Sequence, residues 1–251
     1  MCRLAAYIGE KRSLHELWLA PPHSLVVQSY APREMNGAIL NADGFGMAWY
    51  TAAAEAPALY RSVLPLWSDE NVARMAPHLV SGCALANVRS ATPGMGVQPT
   101  NVSPFTRGRW AFTHNGLIRS WAGLSRRLRA ALDDAQYAAI EGSTDSEHLF
   151  ALVMTHLARE NDPVAAVRGA LAELERLTDQ GALLTFVLTD GRWLIAVRHA
   201  FGEPAPTLYR RMRDGGIELA SERFDEHGWE SVDSGSMLVV TPERDVHIEA
   251  L

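Results

Sequence analysis

The apolar residues of this chain change their spacing twice along its 251 residues, and that change leaves few folds open. Arg3 to Ile8 is a short apolar run that stops at Gly9, which predicts a strand starting directly behind Cys2. Ser13 with Glu16 has the spacing of a capping box and predicts a short helix. Asp43 to Tyr50 reads as a glycine turn entering a strand. Ser68-Asp69 reads as the cap of a helix carrying Val72, Met75, Ala76 and Leu79. Cys83 to Val88 and Trp110 to Thr113 read as buried strands. Segments 122–132, 146–157 and 164–177 then place apolar residues at helical spacing, with Leu149, Leu152, Val153 and Leu157 in one stripe. Beyond Gly181 the strand period returns. Leu183 to Thr189, the turn Asp190-Gly191, and Trp193 to Val197 predict a hairpin. Further strands are predicted at 208–211, 217–220, 237–240 and 246–248. Strands, helices, then strands, without repeats or a low-complexity linker, predict one layered α+β domain over residues 1–251, with antiparallel sheets covered by helices.

Charge and cysteine usage narrow the function. A net charge of −6 gives no electrostatic support for binding nucleic acid. No apolar run approaches the length that spans a bilayer, so no membrane role is expected. The N-terminus reaches Glu10-Lys11-Arg12 without the pattern of a secretory signal, so a cytoplasmic location is expected. Two cysteines, Cys2 and Cys83, make no disulfide framework. Cys83 lies in an apolar run, where cysteine usually packs.

Several residues could carry chemistry. Removal of Met1 would leave Cys2 holding both a thiol and an α-amine, and such an amine titrates near neutral pH. The alternative is a chance Met-Cys start, and retention of Met1 would put the amine on the wrong residue. In His114-Asn115-Gly116 an amide and a backbone N–H could form an oxyanion hole, or Asn-Gly could be a turn. Arg89 could clamp a carboxylate with two parallel hydrogen bonds, or make a structural salt bridge. In Ser143-Thr144-Asp145-Ser146-Glu147, Asp145 or a neighbour could receive an ammonium, or the segment could cap the following helix. Asn41-Ala42-Asp43-Gly44-Phe45-Gly46 lacks the spacing of a phosphate loop. The nine histidines show no paired metal-ligand spacing, and no cofactor or metal is expected.

Taken in order, Met1-Cys2, Asp43-Gly44-Phe45-Gly46, Val88-Arg89-Ser90-Ala91-Thr92, His114-Asn115-Gly116 and Ser143-Thr144-Asp145-Ser146-Glu147 resemble the class II glutamine amidotransferases, a branch of the N-terminal nucleophile hydrolases. The likeness reaches more loosely to Ala220-Ser221-Glu222. It implies a four-layer αββα sandwich and a set of roles. Cys2 is the nucleophile and its α-amine the general base. Asn115 and Gly116 form the oxyanion hole. Arg89 binds the α-carboxylate and Asp145 the α-ammonium of a glutamyl group, with His114 and Thr144 beside them.

A second set resembles the stand-alone γ-glutamyl amidohydrolases of ergothioneine biosynthesis within that family. It comprises Pro21-Pro22-His23-Ser24-Leu25, Gln28-Ser29-Tyr30-Ala31-Pro32-Arg33, Asn41-Ala42-Asp43-Gly44 and Pro65-Leu66-Trp67-Ser68-Asp69. The implied reaction removes glutamate from γ-glutamyl-cysteinyl-hercynine sulfoxide. Alternatives are a glutaminase feeding ammonia to a partner, a hydrolase of another γ-glutamyl compound, and a non-catalytic binding subunit. With 251 residues read as one domain, a free-standing hydrolase is expected rather than one half of a synthase. The expected partner is a small-molecule γ-glutamyl substrate, and a homodimer is left open. Phe45, Trp49, Trp67 and Phe105 lie near these motifs and could face a trimethylammonium, or simply fill the core.

Overall fold

A computed structural model describes residues 1–34, 40–213 and 215–251. The first strand, β1 (Arg3–Ser13), runs past Gly9 instead of ending there. A Cβ at Gly9 would meet the Gly216 Cα at 2.3 Å, so this glycine lets two strands approach rather than stopping one. Ser13 and Glu16 do form reciprocal bonds: Glu16 N–H donates to Ser13 Oγ at 3.2 Å and Ser13 N–H to Glu16 Oε2 at 3.1 Å. The element that follows is one π-helical turn, His15–Leu19, not an α-helix.

The chain continues through α1 (Leu25–Tyr30), β2 (Phe45–Thr51), β3 (Ala54–Ser62), α2 (Glu70–Met75) and β4 (Val80–Val88). Asp69 caps α2 by accepting the Asn71 and Val72 N–H groups. Pro77 cannot continue the α-helix, so Ala76–His78 is a 3₁₀ turn where the sequence suggested more helix. Next come β5 (Phe105–Arg107), β6 (Trp110–Ile118), α3 (Trp121–Ala131), α4 (Asp134–Ala138), α5 (Asp145–Glu160) and α6 (Pro163–Leu177). The C-terminal part holds β7 (Ala182–Thr189), β8 (Leu194–Phe201), β9 (Tyr209–Arg213), β10 (Gly216–Ala220), β11 (Glu230–Ser231), β12 (Ser236–Val240) and β13 (Val246–Ala250). The expected Asp190-Gly191 hairpin joins β7 and β8, in register from Ala182 opposite Phe201 to Thr189 opposite Leu194.

Among the described residues these strands form two antiparallel sheets, β11-β9-β10-β1-β4-β2-β3 and β13-β12-β8-β7-β6-β5. Side-chain alternation explains why the sheets stack. Leu4, Ala6 and Ile8 of β1 face one way and meet Ala111, Val187, Ala196 and Leu238 of the other sheet. Ala5 and Tyr7 face the opposite way, toward Trp18, Leu25 and Val72 in the short helical elements. The outer face of the second sheet packs Phe112, Leu184 and Phe186 against Leu149, Phe150 and Val153 of α5 and Val167, Leu171 and Leu174 of α6. The order is therefore helices, sheet, sheet, helices, the αββα sandwich that the resemblance implied. Cys83 sits in the inter-sheet core as expected, where burial pushes its thiol up to about 12.

Phe150 stacks on Phe112 with ring centroids 5.2 Å apart, joining α5 to the sheet that carries Asn115 and Gly116. Phe150→Ala should cost about 3–5 kcal/mol of stability. Urea unfolding checks this, and a loss below about 1 kcal/mol would contradict the stacking as a main tie between these layers.

Candidate active site

Cys2 stands at the entrance of a strand paired on both sides. β4 and β10 run antiparallel to β1, with Arg3 opposite Val88 and Ala5 opposite Ala220. The C-terminal exits of both neighbours therefore reach the N-terminal end of β1. Arg89-Ser90 leaves β4 on one flank of Cys2, and Ser221-Glu222 leaves β10 on the other. The Cys2 Sγ lies 3.8 Å from the Ser90 carbonyl oxygen. Burial lowers the Met1 α-amine below its ordinary value, so an amine at this end of the chain is partly desolvated.

A buried network fixes the backbone here. Arg3 Nε donates to the Cys2 carbonyl at 2.7 Å, and Arg3 Nη1 to Glu222 Oε1 at 2.9 Å. Glu222 also lies 2.7 Å from His23 Nε2 and accepts the N–H groups of Arg33 and Glu34 at 2.9 and 3.0 Å. Burial alone would raise the Glu222 pKa. The His23 contact, the two N–H donors and the Arg3 charge outweigh burial and pull it down to about 2. Ser221 ties β10 to β1 twice, its Oγ accepting Leu4 N–H at 3.0 Å and its own N–H donating to Leu4 O at 2.9 Å.

Beside Cys2 opens a cavity of about 610 Å³. Arg89 lines it and is 5% exposed. Among the described residues its guanidinium hydrogen-bonds to the Asp43 and Gly96 carbonyls, at 3.4 and 3.3 Å, and no carboxylate lies within ion-pair distance. The structural salt bridge weighed from sequence is thus not what holds it. Asp43 positions this loop instead: its Oδ2 accepts Ala91 N–H at 2.7 Å, and its N–H donates to Arg89 O at 3.0 Å. Three of the five guanidinium donors are left for a ligand.

Across the cavity lies the start of α5. Thr144 is its N-cap, accepting Glu147 N–H at 3.2 Å, so the capping reading holds for this residue while it also lines the cavity. Asn101 Oδ1 accepts Ser143 N–H at 2.8 Å and joins this corner to the loop after β4. Asp145 accepts Ile118 N–H at 2.8 Å and Ser146 N–H at 2.8 Å, and has no cation partner among the described residues. His114 lies 2.9 Å from both the Leu183 carbonyl and Ser146 Oγ. A carbonyl only accepts, so Nε2 carries the proton and Nδ1 accepts the Ser146 hydroxyl. Burial lowers the His114 pKa, which agrees with a neutral ring. Both ring nitrogens are occupied, so His114 braces Asp145 through Ser146.

His114-Asn115-Gly116 is not a turn. It lies inside β6, paired with Phe186, Thr185 and Leu184 of β7. A Cβ at Gly116 would come within 1.9 Å of the Leu183 carbonyl and 2.4 Å of His114 Nε2, so only glycine fits. Gly116 faces the cavity. Asn115 is fully buried and does not line the cavity wall; its Nδ2 donates one hydrogen to Ser221 Oγ at 3.3 Å. The structure thus gathers Cys2, Arg89, His114, Gly116, Thr144 and Asp145 around one space, with Asn115 immediately behind it. Sequence reading missed Glu34 and the wall at Glu203–Thr207, and gave Ser146 no role of its own within its motif. The run Pro204-Ala205-Pro206 was the available signal, since two prolines bar a central strand there. Of the aromatic candidates, Phe105 lines the cavity, Phe45 and Trp49 pack in the core, and Trp67 lies edge-on to Tyr30 at the surface.

Known proteins resemble this chain along nearly its whole length. The family model for class-II glutamine amidotransferases matches residues 21–219. The chain is 36% identical to the gamma-glutamyl-hercynylcysteine sulfoxide hydrolase of Mycolicibacterium smegmatis, over 99% of this chain and 98% of that one. A glutamine aminotransferase class-II domain protein from Silicibacter pomeroyi superposes with a TM-score of 0.76 at 31% identity, covering 100% of this chain and 99% of the other. The glutamine phosphoribosylpyrophosphate amidotransferase of B. subtilis shares the fold, with a TM-score of 0.67 at 17% identity, over 99% of this chain and 49% of that one.

The Glu222 network predicts a pH signature. A carboxylate held at about 2, against an ordinary 4.5, stabilises the fold fully above pH 4.5 and loses that contribution as pH falls toward 2. Glu222→Gln should cost about 3 kcal/mol at pH 7, and the deficit should shrink between pH 4.5 and pH 2. Urea unfolding of both proteins across this range tests it; a deficit independent of pH would refute the assignment.

Proposed function

We propose, from the premise that the chain belongs to the class-II glutamine amidotransferases, that it hydrolyses a γ-glutamyl amide through a Cys2 thioester and releases glutamate. One observation carries the reading. The cavity beside the Cys2 thiol holds a buried guanidinium, Arg89, without a carboxylate partner and a buried carboxylate, Asp145, without a cation partner, among the described residues. Burying two such charges unpaired is costly, and a zwitterionic amino acid head group satisfies both at once.

The proposed roles follow. Removal of Met1 puts the α-amine on Cys2, where it takes the thiol proton as sulfur attacks the γ-carbonyl. The oxyanion receives the Gly116 N–H and the second Asn115 amide hydrogen, the first being held by Ser221. The α-amine then gives its proton to the leaving nitrogen and the C–N bond breaks. Water adds to the thioester, the C–S bond breaks, and glutamate departs. Arg89 grips the α-carboxylate, Asp145 the α-ammonium, and Thr144 and His114 hold this corner in place. The substrate we favour is γ-glutamyl-cysteinyl-hercynine sulfoxide, supported by the name and near-complete coverage of the M. smegmatis relative. The proposal takes residues 1–251 as one catalytic unit in the cytoplasm, acting on a small molecule and not on nucleic acid or membrane, with a homodimer as the assembly to look for.

Glutamate release from the hercynine conjugate and from L-glutamine, measured in parallel, tests the substrate. Faster release from the conjugate is expected, and preference for glutamine would favour an ammonia-supplying role. Cys2→Ala should abolish release with little effect on folding, because the hydrogen bond its sulfur makes among the described residues is a long one, 3.8 Å to the Ser90 carbonyl. Any rate above background in that variant would remove Cys2 as nucleophile. Arg89→Lys keeps the charge but loses the planar fork, so KM should rise about ten-fold or more; an unchanged KM would remove Arg89 from the α-carboxylate.

A further inference from the structure

Three carboxylates line the cavity among the described residues: Glu34, Asp145 and Glu203. Two are already engaged. Asp145 is pinned by backbone N–H groups on the glutamyl side, and Glu203 pairs with Arg119 through two bonds of 2.7 and 2.8 Å. Glu34 differs. Its Oε2 accepts the Tyr209 hydroxyl at 2.8 Å, while its Oε1 has no hydrogen-bond or ion-pair partner among the described residues. The nearby Arg3 donates to the Glu34 backbone carbonyl at 3.3 Å, but its charge is answered by Glu222. Burial, with Glu34 adding to it, raises the Tyr209 pKa, so the phenol stays a donor and holds the carboxylate in place.

The position of Glu34 gives an oxygen without a partner among the described residues a meaning. Its backbone is fastened to Glu222 at the exit of β10, while Arg89 stands at the exit of β4. With β1 between these strands, the two groups occupy opposite flanks of Cys2. A glutamyl chain reaching from the thiol to Arg89 and Asp145 directs the other carbonyl substituent, the leaving nitrogen, away from that flank. We infer that Glu34, held by Tyr209, forms a leaving-group subsite selecting γ-glutamyl amides whose amine component carries a fixed positive charge, such as a quaternary ammonium. The inference rests on the γ-glutamyl reading above and names the selectivity of that same site. A carboxylate without a cation is the natural partner for such a charge, and a neutral group of the same shape gains nothing from it.

The test uses two conjugates of equal shape, the γ-glutamyl amide of 2-(trimethylammonio)ethylamine and that of 3,3-dimethylbutylamine, which replaces the charged nitrogen by carbon. The kcat/KM ratio of charged over neutral conjugate is read for the wild-type chain, Glu34→Gln and Glu34→Lys. Glu34→Gln keeps an acceptor for Tyr209. The wild type should favour the charged conjugate about ten-fold or more, Glu34→Gln should bring the ratio near one, and Glu34→Lys should invert it. A wild-type ratio near one, or a ratio unmoved by both substitutions, overturns the subsite while leaving the γ-glutamyl reading intact. Equal loss on both conjugates in Glu34→Gln would assign Glu34 to the glutamyl side instead and overturn it as well. Failure of the wild type to release glutamate from either conjugate, from glutamine and from the hercynine conjugate would refute the γ-glutamyl reading itself, and the subsite with it.

Discussion

The antiparallel triplet β10-β1-β4 is the constraint on which the site depends. It brings the chain's second residue between the exits of two strands far away in sequence. Arg3 and Glu222 are 219 residues apart, yet one hydrogen bond of 2.9 Å joins them. The start of a chain is ordinarily its loosest part. Here the Cys2 carbonyl is held by Arg3, Arg3 by Glu222, and Glu222 by His23 and the backbone at Arg33 and Glu34. A nucleophile at a free terminus would otherwise lose the orientation that makes attack efficient.

The second sheet supplies the opposite wall. Its outer face is fastened to α5 by Phe112 and Phe150, and the N-terminus of α5 carries Thr144 and Asp145. The hydrophobic stripe of α5 therefore decides where the glutamyl head group can be gripped, although no stripe residue touches it in our account. Gly116, wedged against the Leu183 carbonyl, sets the closeness of β6 to β7 at the point where an oxyanion would form. Stability and chemistry share the same packing here, so changes in the helical layer should reach the site through position rather than contact.

The layered fold was largely legible because its main elements leave local signals. The short apolar runs of β1 and β6 mark buried strands and the helical spacing of α5 and α6 marks helices, and the structure has strands and helices there. The misses are also physical. The Ala-rich β3 has weak strand character and contains Pro57, which an edge position tolerates. Asn115-Gly116 could be read as a turn because Asn-Gly is a common turn dipeptide, while the cause of its glycine is the absence of room for a Cβ between the Leu183 carbonyl of β7 and the His114 ring of β6. Cys2, Arg89 and Asp145 stand in compact motifs and line one cavity, as does Ser146 in the same motif as Asp145. Glu34 stands in no such motif, since it joins the cavity only through its tie to Glu222, 188 residues away, and the wall at Glu203–Thr207 was marked only by its two prolines.

The central claim is that a free Cys2 is the reacting group of this chain. It is tested most directly by mass spectrometry of the N-terminal peptide after treatment with a glutamine-shaped diazoketone. The account predicts a chain beginning at Cys2, with one adduct on the Cys2 sulfur and none on Cys83, whose thiol is buried and held near 12. A chain that keeps Met1 and carries no adduct at Cys2, or an adduct on Cys83, would contradict it.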